Sequence, residues 1–176
     1  LQSSSAASDV YKRQKECSDL FSEFSKIAAD NPLSWFPTYR SSEEISEVTP
    51  DNRMIGFPYT KYLNSIIRVN MSSAFILVSQ KKADELNIPN SKRIYVHGCS
   101  ILDDIWNVTE RPNFHSSPAI KKCVTQTLDE AEISLPDIKY FDLYSCFPSA
   151  VQIAKKELGL PREKKDLTVT GGLPYF

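Results

Sequence analysis

A layered α/β fold is the class this sequence predicts, and three features carry it. From Ile94 to Thr170 the segments alternate strand, helix, strand, helix, strand. Phe75-Ile76-Leu77-Val78-Ser79 is a short, nearly continuous apolar run, as in a strand buried on both faces. Lys139 to Leu160 reads as a strand, a sharp turn and a helix. Ligands in open α/β sheets sit at the carboxyl ends of strands, which here singles out Tyr144, Ser145 and Cys146.

The elements follow in order from local chemistry. Lys15 to Ala29 places Cys17, Leu20, Phe21, Phe24, Ile27 and Ala28 in an amphipathic helical pattern that Asn31-Pro32 stops. Ser42 with Glu43 and Glu44 starts a short helix, the acids being favoured near its amino end. Thr49 to Asn64 reads as an irregular connection with Tyr59 packed down; lining a pocket is the other use of Pro58-Tyr59-Thr60-Lys61. Small residues, Ser72, Ser73 and Ala74, lead into the 75–79 strand and allow close backbone approach. A brief helix at 83–86 and a polar turn at 87–91 precede a strand at 94–99. His97, mid-strand before Gly98, is read as structural. Leu102 to Phe114 is a long unpatterned loop of the kind that borders sites. Ser117-Pro118 opens a helix with Ile120, Cys123, Val124, Thr127, Leu128 and Ala131 on one face. Pro148 opens the next helix, and Gly159 and Pro161 end it. Leu167 to Thr170 alternates and is β-branched, so a strand, and Gly171-Gly172 follows.

Bulk properties exclude several functions. A length of 176 residues suits one domain or pieces of two. The formal net charge of −1 gives no case for nucleic acid or an anionic membrane surface as partner. No apolar run approaches the roughly 18 residues of a membrane span, and the start does not read as a secretory signal. Cys17, Cys99, Cys123 and Cys146 lack CxxC spacing, which argues against zinc and a disulfide framework and suits a reducing cytoplasm. With only His97 and His115 besides, no metal site is expected. Residues 1–14 are Ser/Ala-rich and end in Asp-Val-Tyr-Lys-Arg-Gln, which resembles the translation of a common transposon-type sequencing adapter. They are assigned to a non-native tail, with a disordered natural tail as the alternative. The other end stops inside what reads as a glycine-rich loop, so a fragment cut at both sides is expected.

Three pieces of the chain resemble the thiolase superfamily, and within it the thiolase-like acetyl-CoA acetyltransferases related to sterol carrier protein-type thiolase. Asn70-Met71-Ser72-Ser73-Ala74 before the 75–79 run is similar to the family's small-residue turn and last amino-domain strand. Asp142-Leu143-Tyr144-Ser145-Cys146-Phe147 is similar to its Asn-Glu-Ala-Phe or His-Asp-Cys-Phe motif. Thr168-Val169-Thr170-Gly171-Gly172 is similar to its Asn-x-x-Gly-Gly segment. The resemblance implies an incomplete thiolase-like layered α/β fold: 15–90 as the end of the amino-terminal domain and 91–176 as the start of the carboxy-terminal one.

What the resemblance implies chemically is acyl transfer from coenzyme A thioesters through a cysteine thiolate, with an oxyanion hole stabilising developing charge. Tyr144 takes the place of the Asn or His that helps build that hole, and Cys146 that of the motif's third residue; these two are the expected catalytic positions. Cys146 has no adjacent His or Lys to lower its pKa, so a pocket-lining or packed role is expected over a nucleophilic one. The family's nucleophile lies in an earlier part and its Gly-His-Pro and Cys-x-Gly motifs in a later one, so the chain alone is expected to be inactive. Ser72, Ser73, Thr170, Gly171 and Gly172 are the expected contacts to coenzyme A, which is a substrate and not a resident cofactor. Tyr144, Ser145 and Cys146 are expected to face one cavity floored by the two glycines. A homodimer is implied by likeness. The alternative function is a non-catalytic thiolase fold that binds acyl-CoA or lipid, or scaffolds a partner, and the Tyr144 substitution favours it. A ketoacyl-synthase-like reading fits the fold but lacks a His-rich motif.

Overall fold

One long helix gives the fold its spine. The computed structural model describes residues 2–176; Leu1, and the side chains before Asp9, lie outside the described residues, and so does that much of the expected non-native tail. Helix α1, Gln2–Asp30, carries Cys17, Leu20, Phe21, Phe24 and Ala28 at spacings of three and four, which puts them on one face. All five are buried, against Ile45, Leu63, Phe141, Val151, Leu167 and Tyr175. Each large apolar side chain fully buried there contributes about 1.5–3 kcal/mol. Phe21 stacks on Phe24 at 5.3 Å and meets Tyr175 edge-on at 6.3 Å. The helix begins well before Lys15 because residues 2–14 contain neither glycine nor proline to break it.

Short elements wrap this spine. Helix α2, Ser42–Ser46, is closed by a capping box between Ser41 and Glu44. Strands β1, Met54–Gly56, and β2, Tyr59–Thr60, pair antiparallel in the stretch expected to be irregular. Buried Asn52 fixes that hairpin: its amide is directed at the carbonyls of Glu44, Ile45 and Glu47 at 3.0, 3.0 and 2.7 Å, and its Oδ1 accepts from Tyr62 N at 2.9 Å. Tyr59 packs down as expected, stacked on Phe147 at 6.1 Å. Helices α3 (Gln80–Glu85) and α4 (Pro118–Glu130) are capped by the side chains of Ser79 and Ser117, and α5 (Pro148–Glu157) starts on Pro148.

The strands expected at 75–79, 94–99, 140–144 and 167–170 do not form, and the hairpin is the one sheet among the described residues. The physical reason is the lack of a ladder. Leu143 N donates to Leu167 O at 2.9 Å, and that single bond does not make a sheet. Phe75, Ile76 and Leu77 are all exposed, as are Ile94 and Val96. The chain at 94–100 is tied instead to α4: Cys99 N donates to Glu130 Oε2 and Ser100 Oγ to Gln126 Oε1, both at 2.9 Å.

The last residues close the structure. Gly171 (φ 113°) and Gly172 (φ 75°) take backbone conformations that disfavour any side chain. A methyl on Gly171 would lie 2.7 Å from Ala28 Cα, and one on Gly172 2.6 Å from the Phe24 ring. The loop around them is knitted to two other segments, 31–36 and 62–66. Asn31 Nδ2 donates to Thr170 O at 2.9 Å, Ser34 Oγ and Phe36 N to Tyr175 O at 2.6 and 3.0 Å, and Ile66 N to Leu173 O at 3.1 Å. Buried Tyr175 donates its hydroxyl to Tyr62 O at 2.9 Å.

Burial on α1 pushes the Cys17 thiol from an ordinary value of 9.0 up to about 11, opposed in part by the Arg13 charge and the Gln152 amide. The folded state therefore holds a proton that the unfolded chain loses first. Stability from this group is complete below pH 9 and lost as pH rises toward 11, a loss of ~2–3 kcal/mol. Urea unfolding at pH 8 and at pH 10.5 is expected to show that decline, and Cys17→Ala is expected to flatten it.

Candidate functional site

Period-two alternation decides where the candidate residues point. Along 141–145, Phe141, Leu143 and Ser145 turn inward while Asp142 and Tyr144 turn outward. Ser145, fully buried, accepts a hydrogen bond from Leu173 N at 2.9 Å, and its Oγ lies 2.8 Å from where a Gly172 Cβ would stand. Cys146 O accepts from Ser65 N at 3.1 Å, fixing the chain just before α5. Phe147 supplies no side-chain cap to α5, so the positive end of that helix lies next to Cys146.

Tyr144 is 69% exposed, two residues before half-buried Cys146. Cys146, through hydrogen bonding first and then charge, with burial last, holds the phenol above its ordinary value.

On its outer side Tyr144 walls a cavity of about 240 Å³ between α4, α5 and the loop before α4. Phe114, Ile120 and Ile153 make it apolar, and Asp104, Arg111 and Ser117 give it one polar end. Ser117 Oγ donates to Asp104 Oδ2 at 2.6 Å, Ile105 N donates to Asp104 Oδ1 at 2.9 Å, and Arg111 Nε donates to Ile105 O at 2.8 Å. The Ser117 bond, the Ile105 amide and the Arg111 charge, in that order of size, hold the Asp104 carboxyl below its ordinary value. The sequence marks 102–114 as a loop of the kind that borders sites; three of its residues line this cavity, and no motif points to Asp104, Arg111 or Ser117 as site residues. The only sequence signal was the loop's length.

A larger groove of about 640 Å³ runs between α1 and the end of α5. Its cations, Lys155, Lys156 and Arg162 among them, face Glu16, Asp19 and Glu163. Arg162 pairs with Glu16, and lysines in the last turn of α5 complement the helix dipole. Lys155 donates to the carbonyls of Arg162 and Lys164, and none of the groove's lining belongs to the Tyr144 face.

The expected site residues thus fall into separate places. Tyr144 lines the cavity between α4 and α5, whereas Cys146, expected to line a pocket or pack, lines neither cavity. Ser145 joins the glycine pair, but Gly171 and Gly172 are buried under α1 and line neither cavity. The expected single cavity is therefore split, because neighbouring residues of an extended chain face opposite sides. Thr170 is engaged within its own loop, its Oγ1 accepting from Gly172 N at 3.3 Å. Ser72 and Ser73 are exposed in the extended chain before Phe75 and line neither cavity. Among the described residues no group of His, Cys, Asp and Glu is arranged to hold a metal, and no helix is long and apolar enough to cross a membrane.

No protein-family model matches the sequence, and no curated protein is similar to it. Among solved structures the chain is similar to a monomeric SCP2-thiolase like protein type 1 from Mycobacterium smegmatis. The two are 36% identical with a TM-score of 0.82, over 95% of this chain and 36% of that one. The chain therefore has an SCP2-thiolase-like fold and spans about a third of the neighbour's length.

The Ser145 clip is separable from the Tyr144 face. Ser145→Ala leaves the half-buried Leu173 amide without its acceptor and is expected to cost ~1 kcal/mol. Denaturant unfolding measures that cost, and the rate of Cys146 alkylation by iodoacetamide in the native protein is expected to stay within about twofold of the parent.

Proposed function

We propose that this chain is part of a thiolase-like protein that handles acyl-CoA thioesters, with acyl transfer as the activity of the whole protein. The observation that carries the reading is the Tyr144 phenol at the wall of a largely apolar cavity, in a chain of SCP2-thiolase-like fold. The cavity of about 240 Å³ is smaller than the roughly 300–1,000 Å³ of a drug-sized ligand site. It suits a short acyl group with the nucleotide left outside.

The chemistry follows from the phenol. A thiolate attacks the thioester carbonyl carbon, negative charge gathers on oxygen, and collapse expels the coenzyme A thiolate. A donor aimed at that oxygen lowers the barrier, and loss of one such donor typically costs about 10²–10³ in rate. Tyr144 O–H is that donor in this reading, and Cys146, two residues on and just before α5, is assigned a positioning role. The attacking cysteine implied by the resemblance matches no position in this chain. Coenzyme A thioester is substrate, with no resident cofactor. A homodimer has no support from the neighbour, which is described as monomeric. A cytoplasmic location and a role in lipid metabolism complete the reading and rest on the scattered free cysteines and the thiolase likeness respectively.

The second reading, acyl-CoA or lipid binding without turnover, is favoured by one observation: an exposed tyrosine stands where the family carries an Asn or His.

Acetyl-CoA titrated into the 176-residue chain and followed by saturation-transfer NMR tests the site. The acetyl group is expected to be in contact, and Tyr144→Phe is expected to weaken binding ~3- to 10-fold with the melting temperature unchanged. Binding that ignores Tyr144→Phe, or no binding at all, contradicts this use of the cavity. Turnover by the whole protein separates the acyltransferase from the binder.

A further inference from the structure

We propose that the acyl group is a short hydroxyacyl chain whose hydroxyl sits between Asp104 and Arg111, at the polar end of the cavity of about 240 Å³. This substrate class rests on the acyl-CoA reading and narrows it. Two opposite charges share that end without pairing. Asp104 and Arg111 both line the cavity and both are half-buried, yet no ion pair joins them among the described residues. Arg111 is held through Nε, which donates to Ile105 O at 2.8 Å, and its two terminal nitrogens donate to no protein group among the described residues. Asp104 takes one donor on each oxygen, Ser117 Oγ at 2.6 Å and Ile105 N at 2.9 Å. An ionised carboxylate accepts about four. Each side chain is thus fixed through one part and has capacity to spare in another.

A hydroxyl both donates and accepts, and it is the smallest group that does. Its O–H is directed to Asp104 and its lone pair to Arg111. A carboxylate would pair with Arg111 but meet Asp104 charge to charge, and an ammonium would do the reverse. An oxo group accepts from Arg111 and offers Asp104 nothing. A plain alkyl chain strips water from both charges and returns no hydrogen bond. Phe114, Ile120 and Ile153 line the rest of the cavity and suit the methylenes, while Tyr144 stands at its wall for the thioester carbonyl. Ser117 caps α4 and donates to Asp104, so the carboxylate is tied to the helix that walls the cavity.

The test titrates butyryl-CoA, 3-hydroxybutyryl-CoA, 4-hydroxybutyryl-CoA and succinyl-CoA into the 176-residue chain, with affinities from saturation-transfer NMR. The better hydroxybutyryl thioester is expected to bind ~5- to 10-fold more tightly than butyryl-CoA, as a hydrogen bond to a charged group allows. Arg111→Met and Asp104→Ala are each expected to bring that ratio to within ~2-fold. The ratio is taken within one protein, so a general loss of stability cancels from it. Should Asp104→Ala fail to fold, Arg111→Met decides alone. Butyryl-CoA binding as tightly as both hydroxybutyryl thioesters overturns the proposal and leaves the acyl-CoA reading standing. Tightest binding by succinyl-CoA, whose free carboxylate Arg111 alone would hold, does the same. A ratio that survives either substitution in a folded protein also overturns the proposal. Binding of none of the four overturns the proposal and the acyl-CoA reading together.

Discussion

The contact of α1 with the glycine pair is the constraint on which the rest of the structure depends. Gly171 and Gly172 let the closing loop approach Ala28 and Phe24 more nearly than any side chain allows. That approach places Tyr175 against Phe21 in the core and brings its carbonyl to Ser34 and Phe36. It also brings Leu173 within reach of Ile66 and Ser145. Segments far apart in sequence are thus held by one loop of a few residues, where the hydrogen-bonding groups are satisfied and the apolar ones buried.

The candidate site inherits its geometry from that lock. Ser145 is drawn inward by the Leu173 amide, so the residue before it must point outward. Tyr144 faces the cavity between α4 and α5 for that reason. Ser117 joins the two helices, capping α4 while its amide donates to Glu157 of α5 at 3.1 Å. Asp104, held by the same serine, keeps the polar end of the cavity ionised. Structure thereby turns one buried serine and one helix cap into a directed phenol, which is the feature the acyl-CoA reading uses.

The helices were legible because their signals are local. Ser117-Pro118 and Pro148 mark two amino ends, and the spacing from Cys17 to Ala28 shows the buried face. The four strands were legible only as apolar composition; a strand exists through its partner, and runs such as Phe75 to Val78 have none among the described residues. The hairpin at 54–60 was hidden because its strands are very short and its anchor, Asn52, acts through contacts the local pattern does not show. Tyr144 and Cys146 are singled out by the strand-end rule and the motif, though the strand at 140–144 does not form. Gly171 and Gly172 were read as the floor of a pocket, since a missing Cβ signals close approach without saying what approaches; α1 does. Asp104, Arg111 and Ser117 meet only through a loop whose path has no periodicity to reveal it.

The lock is tested most directly by a double-mutant cycle between Gly171→Ala and Ala28→Gly, read by denaturant unfolding. Ala28→Gly alone is expected to cost ~1 kcal/mol as a helix-interior glycine. Gly171→Ala alone is expected to cost more, from the clash and the left-handed backbone together. Combined, they are expected to cost less than their sum by more than ~0.5 kcal/mol, because losing the Ala28 methyl removes the nearest clash, while Ala28 Cα at 2.7 Å and the left-handed backbone keep the rest of the cost. Costs that add to within ~0.5 kcal/mol would show that the closing loop does not depend on this contact.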